Sequence, residues 1–426
     1  MTTHHSTTPM STLVIFEDEH VTGFGPLALT RPVFELVCGM TSLREKITRA
    51  FPRDRTVLLC RSYLAPTLRE QTCLAVNDLS QHDDDCLFVN GRALLTEKLE
   101  LATGDALTAN GELVAVSLSR VAAARVLQDG VAALAAEAKT TRAVDLPVIR
   151  HPWELIARQG EELAREFATT NPSVRRGAQL PVGSHVVGER SDLFIEEGAT
   201  VLPGVVFDVS GGPIYVGHGV TIRPPTYIQG PACIGEGGSL DGAQIRAGTT
   251  LGPRCGVGGE VSASVFLEGA NKKHAGFVGH SYLGAYVNCG ALTTTSNLKN
   301  NTKSVRVQLA ASTAALDTGQ LFVGSCIGDH TMLGIGTLLN TGAVVGCGCN
   351  VFGGGVSPKY IPSFMWGGNH GFVEHQLDKM LETTAIVRHR RGVMLTEAYR
   401  ELLARGFDDT AQDRGAFFAS RDRQEP

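Results

Sequence analysis

One histidine, His280, lies in the stretch of sequence richest in side chains suited to catalysis. An imidazole titrates near neutral pH and can accept a proton from a nucleophile, so histidine is a common general base. Tyr282, Asn288, Asn297 and Lys303 follow it within one segment that departs from the sequence period around it. A titratable group with several polar neighbours is typical of an active site. We therefore predict that this segment is catalytic.

Structural roles for the same residues stay open. His280 taken alone could be a hydrogen-bonded histidine in a polar turn. Asn288 could belong to an asparagine ladder at a solenoid corner, and Asn297–Asn301 (NLKNN) could be a simple polar turn. Their concentration in a single segment favours catalysis over these alternatives.

The sequence around this segment repeats every six residues. Aliphatic residues keep this step in three runs: Ile327, Leu333, Leu339, Val345 and Val351; Val216, Ile222, Ile228 and Ile234; and Ile245, Leu251 and Val257. A period of six fits neither a helix nor a simple alternating strand. Three short strands per coil, each burying one aliphatic residue against the neighbouring coils, form a triangular prism. The sequence from about Ile195 to Val356 therefore predicts a parallel β-helix, with a β-sandwich as the alternative.

Two stretches, Ser262–Gly276 and Leu292–Gln320, carry polar and basic residues in place of the period. Insertions between repeats form loops on one face of a solenoid, and that face is often the binding face. His280 lies between the two stretches, which supports a site there.

The N-terminal part has a different pattern. Short apolar runs at Leu13–Phe16, Val57–Cys60 and Leu87–Val89 predict buried strands of a parallel α/β unit. Thr41–Ala50 has a helical pattern, but its Thr41-x-x-Arg44 start gives no full capping box. The remaining predicted helices are Ser119–Ala138, a helix opened by Pro152, and His375–Phe407. In the last of these, Arg388–Arg391 is interpreted as a solvated helix face rather than a phosphate site.

The predicted domain plan has five parts. A disordered tail (1–10) precedes an α/β domain (11–150), a helical linker (151–180), the β-helix (181–370) and a C-terminal helical extension (371–426). A chain of 426 residues exceeds what one hydrophobic core usually supports, so two main domains are expected.

Composition excludes several partners. A net charge of −5 gives no electrostatic footprint for nucleic acid or an anionic membrane. No apolar run reaches transmembrane length, and the first ten residues do not form a signal peptide. Ten cysteines without a CxxC pair suit reduced, buried thiols. We expect a cytoplasmic protein.

The segment Gly276–Lys303 (GFVGHSYLGAYVNCGALTTTSNLKNNTK) resembles the acetyltransferase domain of the bifunctional bacterial UDP-N-acetylglucosamine pyrophosphorylase/glucosamine-1-phosphate acetyltransferases. From about Leu13 to Gly368 the chain is similar to sugar nucleotidyltransferases with the same two-domain plan, in FEDEH…LTRPVFEL, LFVNGR, HPWEL, VGGEVS and NKKHAGFVGHSYLG. The resemblance implies a reduced nucleotidyltransferase-like α/β domain, a left-handed β-helix and a C-terminal helical segment. It also implies a homotrimer with acyl-CoA bound between neighbouring solenoids.

The resemblance assigns roles to individual residues. His280 matches the general base that acts on the sugar's amino group as the amine attacks the thioester of acetyl-CoA. The residues that match substrate contacts are Tyr282, Asn288, Asn297 and Lys303 for the sugar or its amine, and Arg246 for its phosphate. A second phosphate-binding lysine of the family has no clean counterpart, and Lys273 or its neighbour Lys272 could replace it. The spacing from His280 to Tyr282 is one residue shorter than in the family, and Leu298 stands where the family has a tyrosine.

The N-terminal domain departs further from the family. The Gly-rich phosphate loop is replaced by the acidic stretch Phe16–Gly25 (FEDEHVTGFG). Arg31 is retained as a nucleotide-binding residue, but Val33 stands where a lysine is expected. Asn90 takes the place of the Mg²⁺-binding aspartate and is a weaker, neutral oxygen ligand. Glu17 and Asp18 are alternative ligands, so no metal set is predicted firmly, and Mg²⁺ is expected only if this domain is active.

Three functions stay open. The first is a transferase that moves an acetyl group from acetyl-CoA to the amine of an amino-sugar 1-phosphate in nucleotide-sugar synthesis. The second is a UTP- or dTTP-dependent sugar-1-phosphate nucleotidyltransferase, alone or alongside the first. The third is a non-catalytic scaffold that binds a sugar nucleotide. Loss of the Gly-rich loop counts against the second, and retention of His280, Tyr282, Asn297 and Lys303 counts against the third. The expected partners are a sugar phosphate and acyl-CoA.

Overall fold

A computed structural model describes residues 12–53, 55–79, 85–99, 101–169 and 180–422, with the backbone alone for 127–129 and 422. The predicted disordered tail lies outside the described residues. Within them the chain divides into two compact units. Unit 1 contains residues 12–22, 31–36 and 41–150, and unit 2 contains 23–30, 37–40 and the described residues from 151 onward.

Unit 1 is built on one twisted sheet. Its strands are β1 (Thr12–Phe16), β2 (Thr41–Ser42), β3 (Arg55–Leu59), β4 (Ala75–Val76), β5 (Cys86–Asn90), β6 (Asp105–Ala109), β7 (Glu112–Leu118) and β8 (Thr140–Ala143). All but β2 form the sheet, in the order β4-β3-β1-β5-β7-β6-β8. The three predicted strands β1, β3 and β5 are parallel, with Val14 opposite Val57 and Phe88. The parallel α/β unit is confirmed, and β7 adds an antiparallel strand beside β5.

The helices of unit 1 are α1 (Leu43–Ala50), α2 (Ala65–Gln71) and α3 (Arg120–Asp129). The prediction that α1 lacks a full capping box was wrong, because the N-cap is one residue later than Thr41. Ser42 is the N-cap, because the Glu45 amide donates to its hydroxyl and the Ser42 amide donates to the Glu45 carboxylate. The predicted helix Ser119–Ala138 ends early, since Gly130 takes a left-handed φ of 89° and closes α3.

Unit 2 is a parallel β-helix with three faces. The first face contains His185–Val187, Val206–Asp208, Tyr227–Gln229, Gln244–Ile245, Glu260–Ser262 and Phe277–Gly279, continued by Thr294–Thr295, Thr337–Leu339 and Gly355–Val356. The second contains Leu193–Ile195, Ile214–Val216, Ala232–Ile234, Thr249–Leu251, Val265–Phe266, Tyr282–Leu283, Cys326–Ile327, Val344–Val345 and Tyr360–Ile361. The third contains Thr200–Val201, Thr221–Arg223, Ser239–Asp241, Gly256–Val257, Asn271–Lys272, Asn288–Cys289, Met332–Leu333, Asn350–Phe352 and Met365–Gly368.

Other elements complete unit 2. Its helices are α4 (Pro152–Thr169), α5 (Leu377–His389), α6 (Glu397–Asp409) and α7 (Ala411–Asp422), and α7 lies beyond the helical segment that the sequence predicted. The remaining strands are Val37–Cys38, Arg306–Val307 paired with Leu316–Asp317, and Gly371–Glu374. Short 3-10 segments of the chain are Glu19–Ala28, Val33–Glu35, Ser62–Leu64, Val131–Glu137 and Arg190–Asp192.

The six-residue period marks the interior of the solenoid. Ile327, Leu333, Leu339, Val345 and Val351 are each at most 2% exposed and belong to one continuous core. Every strand pair along the three faces of the prism is parallel, which excludes the β-sandwich alternative. The predicted fold class, an α/β domain followed by a parallel β-helix and C-terminal helices, is confirmed.

One predicted interruption of the solenoid was wrong. Ser262–Gly276 continues the coil through Val265–Phe266 and Asn271–Lys272, in register with the coils before it. The period is concealed because Lys272 takes the inward position opposite Val257 and is fully buried. Its Nζ donates to the carbonyls of His274 and Ala275, and burial lowers the pKa of this lysine. A buried lysine that satisfies corner carbonyls thus replaces an aliphatic residue.

Two predictions from composition, on membrane spans and on cysteines, can be compared with the described residues. No helix there is both long and apolar enough to cross a membrane. Eight of the ten cysteines are buried free thiols, whereas Cys73 is exposed and Cys60 is half-buried.

Candidate active site

His280 lies at the corner between the first face and the second. The strand Phe277–Gly279 ends just before it and Tyr282–Leu283 begins just after it. Its φ is +48°, a left-handed conformation that non-glycine residues seldom adopt. The His280 amide donates to the Ser262 carbonyl, and its carbonyl accepts from the Gly324 amide, both at 2.9 Å. Hydrogen bonds to two neighbouring parts of the chain therefore fix this unusual backbone.

The second predicted interruption is a true insertion, and it supplies the partners of the imidazole. Nδ2 of Asn297 lies 2.9 Å from Nδ1 of His280, and the Phe322 ring stacks on the imidazole at 5.1 Å between centroids. The insertion leaves the coil at Asn297 and returns at Val323, where the Val323 amide donates to the Asn297 carbonyl. The residues that enclose the histidine thus lie at the two ends of one loop.

Burial lowers the pKa of His280, so the neutral ring predominates near neutral pH. With Nδ2 of Asn297 donating to Nδ1, the proton of the neutral ring lies on Nε2. Rotation of the Asn297 amide by 180° places Oδ1 there instead, which stabilises Nδ1–H and leaves Nε2 as a base. Nε2 has no hydrogen-bond partner among the described residues. The Asn297 amide therefore controls which ring nitrogen can accept a proton.

An apolar cleft opens beside the imidazole. It is lined by Pro152, Trp153, Ile156, His280, Tyr282, Val307, Val323, Gly324, Ser325, Cys326, Gly342 and Ala343. Trp153 and Ile156 come from α4, whereas Val307 and Val323 come from the insertion. Apolar walls around one base limit access of water and strengthen local electrostatic interactions.

Tyr282 lines the same cleft, but its hydroxyl is occupied. The Val37 amide donates to the hydroxyl at 2.7 Å, and the hydroxyl donates to the Val37 carbonyl at 3.1 Å. The side chain is almost fully buried. Tyr282 therefore offers the cleft its ring, and in this arrangement its hydroxyl anchors the segment 37–40 to the solenoid.

Arg246 lies on the first face, two coils before Gly279. Strand spacing puts that separation at about 10 Å along the solenoid axis. Its Nε lies 3.2 Å from Glu260, and its guanidinium lies over the Tyr227 ring at 5.6 Å. This partly exposed cation is on the same side of the prism as the His280 corner, and it already has an acidic partner.

The other predicted substrate contacts lie elsewhere on the chain. Lys303 is exposed at a turn of the insertion. Asn288 and Lys273 belong to the third face, where Asn288 accepts from Asn271 at 2.7 Å and Lys273 pairs with Asp241. Within one chain the structure thus brings together His280, Tyr282 and Asn297, and it separates Asn288 and Lys273 from them.

Trp153 and Phe322 were missed by reasoning from the sequence. Phe322 had a detectable signal, because it is one of three adjacent apolar residues (Leu321–Val323) at the end of a polar insertion. Trp153 had none, since its proximity to the cleft depends on the packing of α4 against the second face.

In unit 1, Asn90 stands where the family has its metal-binding aspartate, and it belongs to a network of ion pairs and hydrogen bonds. The Asn90 amide donates to Asp18 at 2.8 Å and to the Leu113 carbonyl at 3.1 Å. Arg92 is fully buried, donates from Nε to Asp18 at 2.8 Å, and also pairs with Glu112. Burial alone would raise the pKa of Asp18, but its interactions with Arg92 outweigh this and hold that pKa below its usual range.

These residues do not fit a magnesium ion. Asp18, His20 and Glu112 have ligand atoms within 4.8 Å of one another, yet both carboxylates already bind the Arg92 guanidinium. Mg²⁺ requires nearly ideal octahedral coordination by oxygen. The Arg92 guanidinium, fixed between the two carboxylates, takes up their oxygens and repels a second cation.

The other acidic and basic candidates of unit 1 also have partners. Glu17 accepts from the Val33 amide at 2.9 Å and forms an ion pair with Arg61 at 3.0 Å. The carbonyl of Arg31, the retained family arginine, accepts from the same Arg61 at 3.1 Å. The acidic stretch is therefore neutralised by buried and half-buried arginines.

Comparison with known proteins finds a family model that is similar to the N-terminal part of the chain. Residues 13–173 match a family model described as sugar nucleotidyl transferase. The match covers less than half of the chain. A bifunctional sugar-1-phosphate nucleotidylyltransferase/acetyltransferase from Sulfurisphaera tokodaii is 31% identical over 103 residues, 24% of this chain and 25% of that relative.

Two further relatives are each named bifunctional protein GlmU. The protein from Picosynechococcus sp. is 32% identical over 127 residues, 30% of this chain and 23% of the relative. The protein from Prochlorococcus marinus is 25% identical over 170 residues, 35% of this chain and 33% of the relative. The alignments with these three relatives thus span a third of their length or less.

Among solved structures, a UDP-N-acetylglucosamine acyltransferase from Campylobacter jejuni is similar to 49% of this chain and 94% of its own. Its sequence identity is 14% and its TM-score 0.24.

Proposed function

We propose that the β-helix carries an acyltransferase site in which His280 takes a proton from the amino group of a sugar 1-phosphate as the amine attacks the thioester of acetyl-CoA. The observation that carries this proposal is an imidazole in an apolar cleft whose Nε2 is unpaired among the described residues. In the proposed reaction Oδ1 of Asn297 faces Nδ1–H, so that Nε2 is the nitrogen that accepts the proton. A C–N bond forms and the C–S bond breaks. The amine loses a proton, and the departing thiolate takes one up as free CoA.

The environment of His280 suits each part of this reaction. An ammonium ion is not nucleophilic, so the site needs a base that is neutral at the working pH. Burial supplies that state by lowering the pKa of His280. The apolar walls formed by Trp153, Val307 and Val323 limit the water that would otherwise hydrolyse the thioester.

The names of the relatives support the substrate classes. One relative is called a sugar-1-phosphate nucleotidylyltransferase/acetyltransferase, which favours an acetyl donor and a sugar 1-phosphate acceptor.

We further propose that the protein is cytoplasmic and homotrimeric. In a trimer the third face of one chain can approach the His280 corner of the next, and under that arrangement Asn288 and Lys273 would reach the substrate.

Nucleotidyl transfer by unit 1 is the second candidate function, and the family match over residues 13–173 favours it. The ionic network around Arg92 opposes it, because Asp18 and Glu112 are held by a guanidinium where the reaction requires Mg²⁺. We therefore assign the chemistry of the chain to the β-helix.

Product analysis separates the candidates. The protein is incubated with a panel of sugar 1-phosphates, with and without an amino group, plus either acetyl-CoA or UTP and dTTP with Mg²⁺. We expect free CoA only with an amino-sugar 1-phosphate, and no pyrophosphate from either nucleotide. Mg²⁺-dependent pyrophosphate release would establish the second candidate, and release of neither product would favour a non-catalytic scaffold.

The acid limb of the pH–rate profile provides another test. Because burial lowers the pKa of His280, the active neutral form should persist below the ordinary histidine value of 6.5 and be lost as pH falls through the lowered pKa. Phe322→Ala exposes the imidazole to water, so its acid limb should move to higher pH. The substrate amine titrates identically in both assays, so the difference in kcat/KM profiles isolates the enzyme group. An acid limb that stays in place, or moves to lower pH, would contradict the assignment of that limb to His280.

A further inference from the structure

A second cavity, of about 460 Å³, lies on the third face under the C-terminal end of α5. Its walls are Gly269, Asn271, Tyr286, Val287, Asn288, Met332, Val387, Arg390 and Arg391. This volume is within the range of small-molecule sites. The cavity shares no lining residue with the His280 cleft.

The residues that line this cavity carry positive charge only, and Glu268, behind the wall at Tyr286, is paired with Arg254. Neither Arg390 nor Arg391 forms an ion pair with any described residue, and no carboxylate lines the cavity. Asn288 accepts from Asn271 through Oδ1, which leaves its Nδ2 without an acceptor among the described residues. Two guanidinium groups and one amide N–H₂ therefore supply donors with no internal acceptor.

Arg388 and a hydrogen-bonded turn hold the backbone that carries Arg390 and Arg391. Arg388 is only 8% exposed, so the expectation of a solvated helix face was wrong for this residue. Its guanidinium lies 5.1 Å from the Tyr286 centroid and 4.3 Å from the Tyr399 centroid, which fixes the end of α5 on the solenoid. The Arg391 and Gly392 amides then donate to the carbonyls of Arg388 and His389 at 2.9 Å, which orders the turn.

The helix terminus alone does not explain this arrangement. A helix C-terminus carries roughly half a negative charge, which one exposed cation compensates. Here two guanidiniums line one cavity together with asparagine amides, which leaves a net positive site. Guanidinium forks match phosphate oxygens in bidentate geometry.

We propose that this cavity binds a phosphate-bearing small molecule. Arg390 and Arg391 take the phosphate, the Asn288 amide donates to a further oxygen, and the apolar wall packs against the body of the ligand. That wall consists of Val287, Met332 and Val387. In the proposed trimer Asn288 would also reach the substrate of a neighbouring chain, so in this respect the inference rests on the proposed function. Binding to Arg390 and Arg391 is measured without acyl transfer, so its failure and the failure of the proposed reaction are distinguishable. Sugar phosphates, nucleotides and the 3′-phosphate of CoA all present the required group.

Calorimetric titration of the full-length protein tests this directly. The probes are inorganic pyrophosphate, glucose 1-phosphate, UDP, and the matched pair CoA and dephospho-CoA. We expect at least one probe to bind saturably, and to bind about tenfold more weakly or worse to the Arg390→Ala/Arg391→Ala double variant. Arg400→Ala, which removes one charge from α6 outside the cavity, is the matched control and should bind as wild type does.

Asn288→Asp sharpens the test, because it preserves size and places a carboxylate beside the phosphate. We expect it to weaken the same probe, and thermal unfolding of each variant confirms that it is folded. Preference for CoA over dephospho-CoA would support the proposal and identify CoA as the source of the phosphate. Binding of glucose 1-phosphate or UDP without that preference would support it with a sugar phosphate or nucleotide as ligand. Absence of binding by every probe, or equal binding by wild type and the double arginine variant, would overturn it.

Discussion

His280→Asn is expected to lower kcat for CoA release by about 10²- to 10⁴-fold, the usual contribution of a general base. Asparagine is the informative replacement because residue 280 has a φ of +48°, which asparagine tolerates and alanine does not. The side chain can still donate a hydrogen bond but cannot accept a proton at neutral pH. KM for the sugar phosphate should change much less than kcat, since the loss falls on the transition state.

His274→Asn is the matched control for that variant. The His274 side chain is exposed on the same coil, and the His274 backbone carbonyl accepts a hydrogen bond from Lys272. Its replacement should leave kcat unchanged. If the two variants were equally active, His280 would not be the base.

Arg92→Met is expected to destabilise the protein by about 3–5 kcal/mol, as is usual when one partner of a buried ion pair is removed. Arg92 is fully buried between Asp18 and Glu112, and methionine fills similar space without replacing the charge. Arg150→Met removes an arginine that also pairs with Glu112 but is 51% exposed, and it should cost less than about 1 kcal/mol. Urea denaturation of both variants gives the comparison.

The destabilisation by Arg92→Met should also depend on pH. Arg92 holds the pKa values of Asp18 and Glu112 below their usual range, against the effect of burial. The stability that they contribute is therefore fully present above the ordinary carboxylate pKa and is lost as pH falls through the lowered values. The difference between wild type and variant should shrink in acid. Equal stability of the Arg92 and Arg150 variants at neutral pH would contradict a structural role for this network.

The solenoid was predictable because its period directly marks inward positions. Ile327, Leu333 and Val345 point to the core since each coil is buried only by its neighbours. The same rule failed at Lys272, where a charged residue occupies an inward position and is satisfied by backbone carbonyls that no local pattern indicates. Polarity in the sequence was therefore mistaken for an interruption of the fold.

The candidate site was predictable in part. His280 and Asn297 were expected together, and the insertion does bring Asn297 to the imidazole. The occupied hydroxyl of Tyr282 was not foreseeable, because its partner Val37 comes from a distant part of the chain. Asn288 was assigned to the substrate site by resemblance alone. Its separation from His280 was not foreseeable, because a position in the sequence does not reveal which of the three faces of the solenoid a strand occupies.

The central claim, that His280 acts as the base in acyl transfer to a sugar amine, is tested most directly by acceptor-dependent release of CoA. Acetyl-CoA is incubated with wild type or His280→Asn, with an amino-sugar 1-phosphate or with the same sugar phosphate bearing a hydroxyl in place of the amine. We predict rapid release only for wild type with the amine. Release that is independent of the amine, or that persists at the wild-type rate in His280→Asn, would contradict this account.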